Sequence, residues 1–177
     1  MKEIEVKAKI TNFNSVVSKL KEMGCELSEP VFQEDIIFLS KNTEFPDIKK
    51  GTNVLRIRNQ SKKTVLTLKQ PQENELDCIE KEVAFDDPKK MKEILEYLDY
   101  HEVIRVSKKR KKCNFGKYKI CLDEVEKLGK FIEVEKISEE DSEKVQNELF
   151  QFLLTLGIKK EERVTSGYDT LIYHNNH

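Results

Sequence analysis

The chain has 177 residues, of which 37% are charged, 37% hydrophobic and 8% aromatic, with no tryptophan. Its 32 basic and 33 acidic residues leave a net charge of -1, which excludes a general attraction to nucleic acid or anionic membrane and requires any polyanion site to be a local concentration of basic groups. So heavy a charge load suits either disorder or a strongly solvated fold, and the regular recurrence of apolar residues along the chain excludes disorder. The length fits one domain spanning 1–177. No apolar run approaches the roughly 20 residues needed to cross a bilayer. The charged opening MKEIEVKAK does not read as a signal peptide. Cys25, Cys78, Cys113 and Cys121 show no CxxC spacing, so a reduced, cytoplasmic setting is expected.

In chain order, MKEIEVKAKI alternates with period two: Ile4, Val6, Ala8 and Ile10 oppose Glu3, Glu5, Lys7 and Lys9, which predicts a strand. NFNSVVSKLKEMG places Phe13, Val16, Val17, Leu20 and Met23 at helical spacing, with Gly24 as the stop. Residues 39–53 form the least regular stretch and are expected to be a loop. VLRIRN sets Arg56 and Arg58 against Leu55 and Ile57, TVLTLKQ sets Thr67 and Lys69 against Leu66 and Leu68, and CIEKEVAF sets Glu80 and Glu82 against Val83 and Phe85. DPKKMKEILEYLD predicts a helix capped by Asp87, with Pro88 in its first turn and an apolar face of Met91, Ile94, Leu95 and Leu98. His101 is expected in a loop. RVSKKRKK places Lys108 and Arg110 on one face with Val106, YKICLDEV sets Cys121 and Asp123 against Ile120 and Leu122, and KFIEVEKI sets Glu133 and Glu135 against Ile132 and Val134. The last expected helix runs from a Ser138 cap through Val145, Leu149, Phe152, Leu153 and Leu156 to Gly157. The order of elements suggests two similar halves, each strand, helix, strands.

Any one of these strands could simply cover a core with one face and show water the other. Taken together they ask for more. Their polar faces repeat ExE, RxR, KxR and ExE with little dilution, and like charges crowded on one face repel. Around a closed barrel, the acidic pairs suit hard cations and the basic pairs suit phosphate oxygens. The barrel would then be inside out, with helices on an apolar exterior and ions within. Neither set of charges would be stable buried alone.

EIEVK, LRIR, TLK, the ExE pair, SKKRKK, LDEVEKLGKFIEVE and TSGYDTLI stand in an order that resembles the CYTH domain, or triphosphate tunnel metalloenzyme, family, nearly end to end. The resemblance implies an α+β fold: a closed antiparallel eight-stranded β-barrel with helices packed outside. It implies that Glu3, Glu5, Asp123, Glu133 and Glu135 are metal-binding carboxylates for Mg²⁺ or Mn²⁺. Lys7, Arg56, Arg58, Lys69, Lys108 and Arg110 become triphosphate contacts, and Glu80 and Glu82 become tunnel-lining acids with a structural or ligating role. Lys7, Arg58 and Glu133 are the residues it implies for catalysis itself. LDEVEKLGKFIEVE is most similar to the class IV adenylyl cyclase-like branch, and Gly129 would permit a tight turn between the strands of Asp123 and Glu133.

The implied reaction is conversion of ATP to cyclic AMP and pyrophosphate. Hydrolysis of tripolyphosphate, thiamine triphosphate or a nucleoside triphosphate is the alternative, and the lining residues do not separate the two. The lack of tryptophan weighs against a thiamine ring. A noncatalytic nucleotide or polyphosphate binder would have little use for the carboxylates. KKRKK as a nucleic-acid patch is disfavoured, since alternate residues on a strand face opposite ways and no aromatics are interleaved. Lys109 and Lys111 are expected to face solvent. The expected partner is therefore a small triphosphate, without nucleic acid or membrane. A homodimer is suggested by analogy alone, and His101, His174 and His177 show no metal-ligand spacing.

Overall fold

The computed structural model describes residues 2–61 and 63–177. Its elements are β1 (Lys2–Lys9), α1 (Phe13–Glu22), β2 (Val31–Ser40), β3 (Val54–Gln60), β4 (Lys63–Pro71), β5 (Asp77–Phe85), α2 (Pro88–Tyr97), β6 (Tyr100–Phe115), β7 (Tyr118–Val125), β8 (Gly129–Ser138), α3 (Ser142–Thr155), β9 (Arg163–Val164) and α4 (Tyr168–Asn176). The first ten divide into two runs of strand, helix and three strands. Neighbouring strands pair in the order β5-β4-β3-β2-β6-β7-β8-β1, and β1 returns to β5. All pairings are antiparallel, so the sheet closes into an eight-stranded barrel.

The closing seam is shared. β1 meets β5 through Glu3 opposite Cys78 and Ile4 opposite Asp77. Farther along, Lys7 and Ala8 meet Val164 and Arg163 of β9. Between these pairings the Glu5 amide donates to the Leu76 carbonyl at 2.9 Å, so few backbone groups of β1 remain unpaired.

The apolar faces point outward, as period two requires. Ile4, Val6 and Ala8 of β1 join Ile120, Leu122, Ile132 and Val134 of β7 and β8 beneath Val16 and Leu20 of α1 and Val145, Leu149 and Leu153 of α3. On the opposite side, Leu95 and Met91 of α2 cover Ile36, Phe38, Ile57 and Leu66. Only part of the expected α2 face is used: Ile94 and Leu98 remain exposed. Asp87 caps α2 by accepting from the Lys90 amide at 2.9 Å.

Three expectations need correction. Ser138 does not cap α3. It ends β8, and Asp141 caps the helix by accepting from the Lys144 amide, because the strand pairing with β1 extends to Ser138 opposite Lys2. His101 lies in β6, paired with Leu39 of β2. The irregular stretch begins at 41, since β2 runs to Ser40 and Leu39 is fully buried. That stretch is anchored, with Phe45 and Ile48 packed beside Ile37, Leu39 and Val54.

Leu153→Ala would remove a fully buried side chain from the layer that joins α3 to the barrel. It is expected to lower stability by about 2–5 kcal/mol, read as an earlier urea midpoint with an unchanged slope.

Candidate active site

Inside the barrel the alternate residues of the same strands line a cavity of about 300 Å³, at the lower end of ordinary small-ligand sites. The two walls differ in charge. Glu133 and Glu135 of β8, Glu3 and Glu5 of β1, and Glu80 and Glu82 of β5 form an acidic side. Across from them, Lys69 of β4, Arg56 and Arg58 of β3, and Lys108 and Arg110 of β6 form a basic side. Each wall follows from the two-residue repeat of its strands, and the closed strand order brings the walls face to face.

On the acidic wall, one carboxylate oxygen each from Glu3, Glu5 and Glu135 lie within 4.8 Å of one another. Burial, followed by the charges of Glu80 and Glu135, pushes the Glu3 carboxyl up to about 7. Burial and the neighbouring Glu133 push Glu5 to about 7 against the opposing pull of Lys7. Three hard oxygen donors that crowd one another in this way fit a divalent cation, which relieves their repulsion and keeps positions for water or phosphate.

The other carboxylates are already engaged by cations. Glu133 accepts from Arg110 and lies 3.4 Å from Lys7 Nζ. Burial alone would raise its pKa, but Arg110, Lys7 and Lys108 hold it well below the usual range. Asp123 is fully buried and does not border the cavity. It accepts from Arg110 Nε at 2.6 Å and from the Tyr168 hydroxyl at 2.9 Å. Thus the five carboxylates expected to bind metal separate into a converging trio, of which Glu135 also accepts from Lys119 and Glu5 lies 3.6 Å from Lys7 Nζ, and two that are gripped by Arg110.

Among the basic groups, Lys69 Nζ lies 2.8 Å from Glu80, and Arg56 lies 3.3 Å from Glu82. Among the described residues Arg56 Nε is buried with no hydrogen-bond acceptor, while its Nη2 donates to Thr67 and Glu82. Burial, with the like charge of Arg110, pulls Lys108 down to about 8 despite Asp123 and Asp35.

α4, a helix that the residue pattern does not announce, packs across one end of the tunnel, where Tyr168 was expected to sit. Tyr168 and Ile172 pack with Val106, Val125 and Phe131. The Tyr168 ring carries Lys7 Nζ 4.1 Å and Lys108 Nζ 4.9 Å from its centroid, a cation–π arrangement. Glu75 ties the helix start to the β4–β5 connection by accepting from the Gly167 amide at 2.7 Å and the Thr170 hydroxyl at 3.0 Å. At the opposite end Glu82 and Lys119 stand about half exposed, so that end is open.

Asp35 of β2 also went unread in the sequence. It accepts from Arg58 Nε at 2.6 Å and NH2 at 2.7 Å, with Lys108 Nζ 3.7 Å away. Burial would raise its pKa, but Lys108 and Arg58 together hold it well below the ordinary carboxylate value. The signal existed in the alternation of Gln33, Asp35 and Ile37, but Glu34 beside it made the inward face ambiguous. Lys112 and Lys119 complete the lining.

The family model of the CYTH domain matches residues 1–168. A Methanocaldococcus jannaschii protein named as a candidate adenylate cyclase is 34% identical over 177 residues, covering 95% of this chain and 97% of its own. Among solved structures, the PH1819 protein of Pyrococcus horikoshii superposes with a TM-score of 0.83 at 29% identity, covering 97% of this chain and 98% of that one. A Hippeastrum protein named as a candidate adenylyl cyclase, and described as having a dominant triphosphatase activity, aligns with a TM-score of 0.60 at 20% identity, covering 94% and 91%. Both the arrangement of the barrel and these matches lead to one statement: the chain belongs to the CYTH domain family.

Proposed function

We propose that this protein is a divalent-metal-dependent enzyme acting on a triphosphate, with a class IV adenylyl cyclase-like reaction as the first reading. The observation that carries the proposal is the opposition of the Glu3–Glu5–Glu135 trio to a wall of Arg and Lys side chains within one barrel cavity. A chain of phosphates needs both: cations from the protein for its oxygens, and a metal to offset the charge that neither wall can hold alone.

Mg²⁺ or Mn²⁺ held by Glu3, Glu5 and Glu135 would supply Lewis-acid stabilisation of charge on the phosphate oxygens. Arg56, Arg58, Lys69, Lys108 and Arg110 would take non-bridging oxygens along the chain, and Lys7 would bridge the metal side and the phosphate side, since its ammonium already lies 3.6 Å from Glu5 and 3.4 Å from Glu133. Placement of these groups, each within ion-pairing distance of a carboxylate, limits the reorganisation needed as charge develops. In the cyclase reading the ribose 3′-hydroxyl attacks the α-phosphorus of ATP, its proton passes to water, and the bond from the α-phosphorus to the bridging oxygen breaks to release pyrophosphate. The name of the 34%-identical relative supports it.

Hydrolysis of a bare triphosphate is the second reading. The cavity lining favours it: among the described residues Tyr168 is the one aromatic that lines the cavity, and Lys7 and Lys108 already cover its ring, which leaves no open platform for a base. The activity described for the Hippeastrum protein belongs to the same chemistry.

Product analysis with Mg²⁺ or Mn²⁺ separates the readings. Cyclic AMP and pyrophosphate from ATP supports the first, orthophosphate from tripolyphosphate or ATP supports the second, and binding without turnover refutes both. Glu5→Gln is expected to lower turnover about 100-fold or more while the metal-free folded protein keeps or raises its thermal midpoint. Full activity in that variant would remove Glu5 from the metal site.

The pH dependence follows from the same carboxyls. With folded values of about 7 for Glu3 and Glu5, metal must displace protons below that range, so Mn²⁺ affinity is expected to rise steeply from about pH 6 to about pH 8. Without metal the sign reverses for stability. The folded state binds more protons than the unfolded one between the ordinary value of 4.5 and about 7, so metal-free stability falls as pH rises through that window. Calorimetric titration with Mn²⁺ at both pH values checks the first expectation, and melting curves without metal check the second.

A further inference from the structure

Lys112 follows Lys108 and Arg110 on β6 at two-residue spacing, and its side chain lines the cavity. It differs from the other basic residues there in one respect. Lys7, Arg56, Arg58, Lys69, Lys108, Arg110 and Lys119 each lie within ion-pairing distance of a carboxylate. Among the described residues, Lys112 has no such partner, and its ammonium makes no hydrogen bond. Its charged neighbours are the cations Lys119, Arg110 and Arg58, which act with burial to hold its pKa below the ordinary lysine value. A cation so placed can take an anion from a ligand without breaking an existing pair, whereas every other cation in the cavity must exchange partners.

The position along the axis gives this a consequence. β6 runs from Val106, packed with Tyr168 at the plugged end, through Lys108 and Arg110 to Lys112, which therefore lies toward the open end. There β7 pairs Lys119 with Glu135 of the carboxylate trio. The apolar cluster of Val106, Phe131, Tyr168 and Ile172 packs across the other end, which directs a group attached to a bound triphosphate toward the open one. A nucleoside ester there presents Lys112 with a phosphate that has lost a charge, whereas a bare polyphosphate presents a free anionic terminus.

We propose that Lys112 is a ligand-contacting residue that binds the outer phosphate at the open end and sets a preference for bare polyphosphate over nucleotide. This rests on the reading of the tunnel as a triphosphate site. It concerns which triphosphate is held best.

The test measures binding of inorganic tripolyphosphate and of ATP, each with Mg²⁺, by calorimetry on the full chain. Lys112→Met keeps the aliphatic stem and removes the charge. It is expected to weaken tripolyphosphate binding about tenfold and ATP binding less than about twofold, while Lys112→Arg retains tripolyphosphate affinity. Lys109→Met removes the same charge from an exposed neighbouring position and is expected to change neither, which separates local contact from net charge. Lys112→Gln serves in the same way if the Met variant does not fold. Unchanged tripolyphosphate affinity in Lys112→Met, or an equal loss for both ligands, overturns the proposal. A wild-type protein that binds neither ligand overturns instead the reading of the tunnel on which it rests.

Discussion

The structure depends on mutual compensation of opposite charges inside a closed β-barrel. Buried ions are costly unless paired, and here the pairing is built across strands: Arg58 with Asp35, Arg110 with Asp123 and Glu133, Lys69 with Glu80. The same closed sheet leaves no long free edge, so the polar interior is reached from the tunnel end and not between strands. The fold and the site are therefore one arrangement. Glu3, Glu5 and Lys7 of β1 line the cavity, while Ile4, Val6 and Ala8 pack with α1 and α3.

Compensation is uneven, and the unevenness is chemically informative. Arg110 holds both Glu133 and Asp123, whereas Glu3, Glu5 and Glu135 crowd together with Lys119 on Glu135 alone, and Glu3 and Glu5 resist ionisation. An arrangement selected for stability alone would not retain so crowded a set of buried carboxylates. A cation among them relieves that crowding.

The barrel was legible in the sequence because its signal is local and repeated. Ile4, Val6 and Ala8 against Glu3, Glu5 and Lys7 give both the strand and the side each residue faces, and the same reasoning located Arg56, Arg58, Glu80, Glu133 and Glu135 in the lining. α1 to α3 were legible from their spacing and their stops. What escaped depended on tertiary context. α4 is nine residues long, and its buried Tyr168, Thr170 and Ile172 recur with a period of two that imitates a strand. Asp35 followed Glu34, and only the pairing of β2 with β3 decides which of them faces inward. Ser138 looked like a cap because no local feature tells how far β8 continues beside β1.

The seam also bears on how such a chain is assembled. β1 has neighbours on both sides only after β5, β8 and β9 exist, and its longest ladder joins Lys2 to Ser138. During synthesis the first strand therefore waits for a partner made much later, with Ile4 and Val6 uncovered on one side and its charges unmatched on the other. Contacts so distant in sequence slow folding and lengthen exposure of an unpaired strand. The alternating acids and lysine of β1 then act as gatekeepers, since repulsion between like strands discourages self-association until the barrel closes.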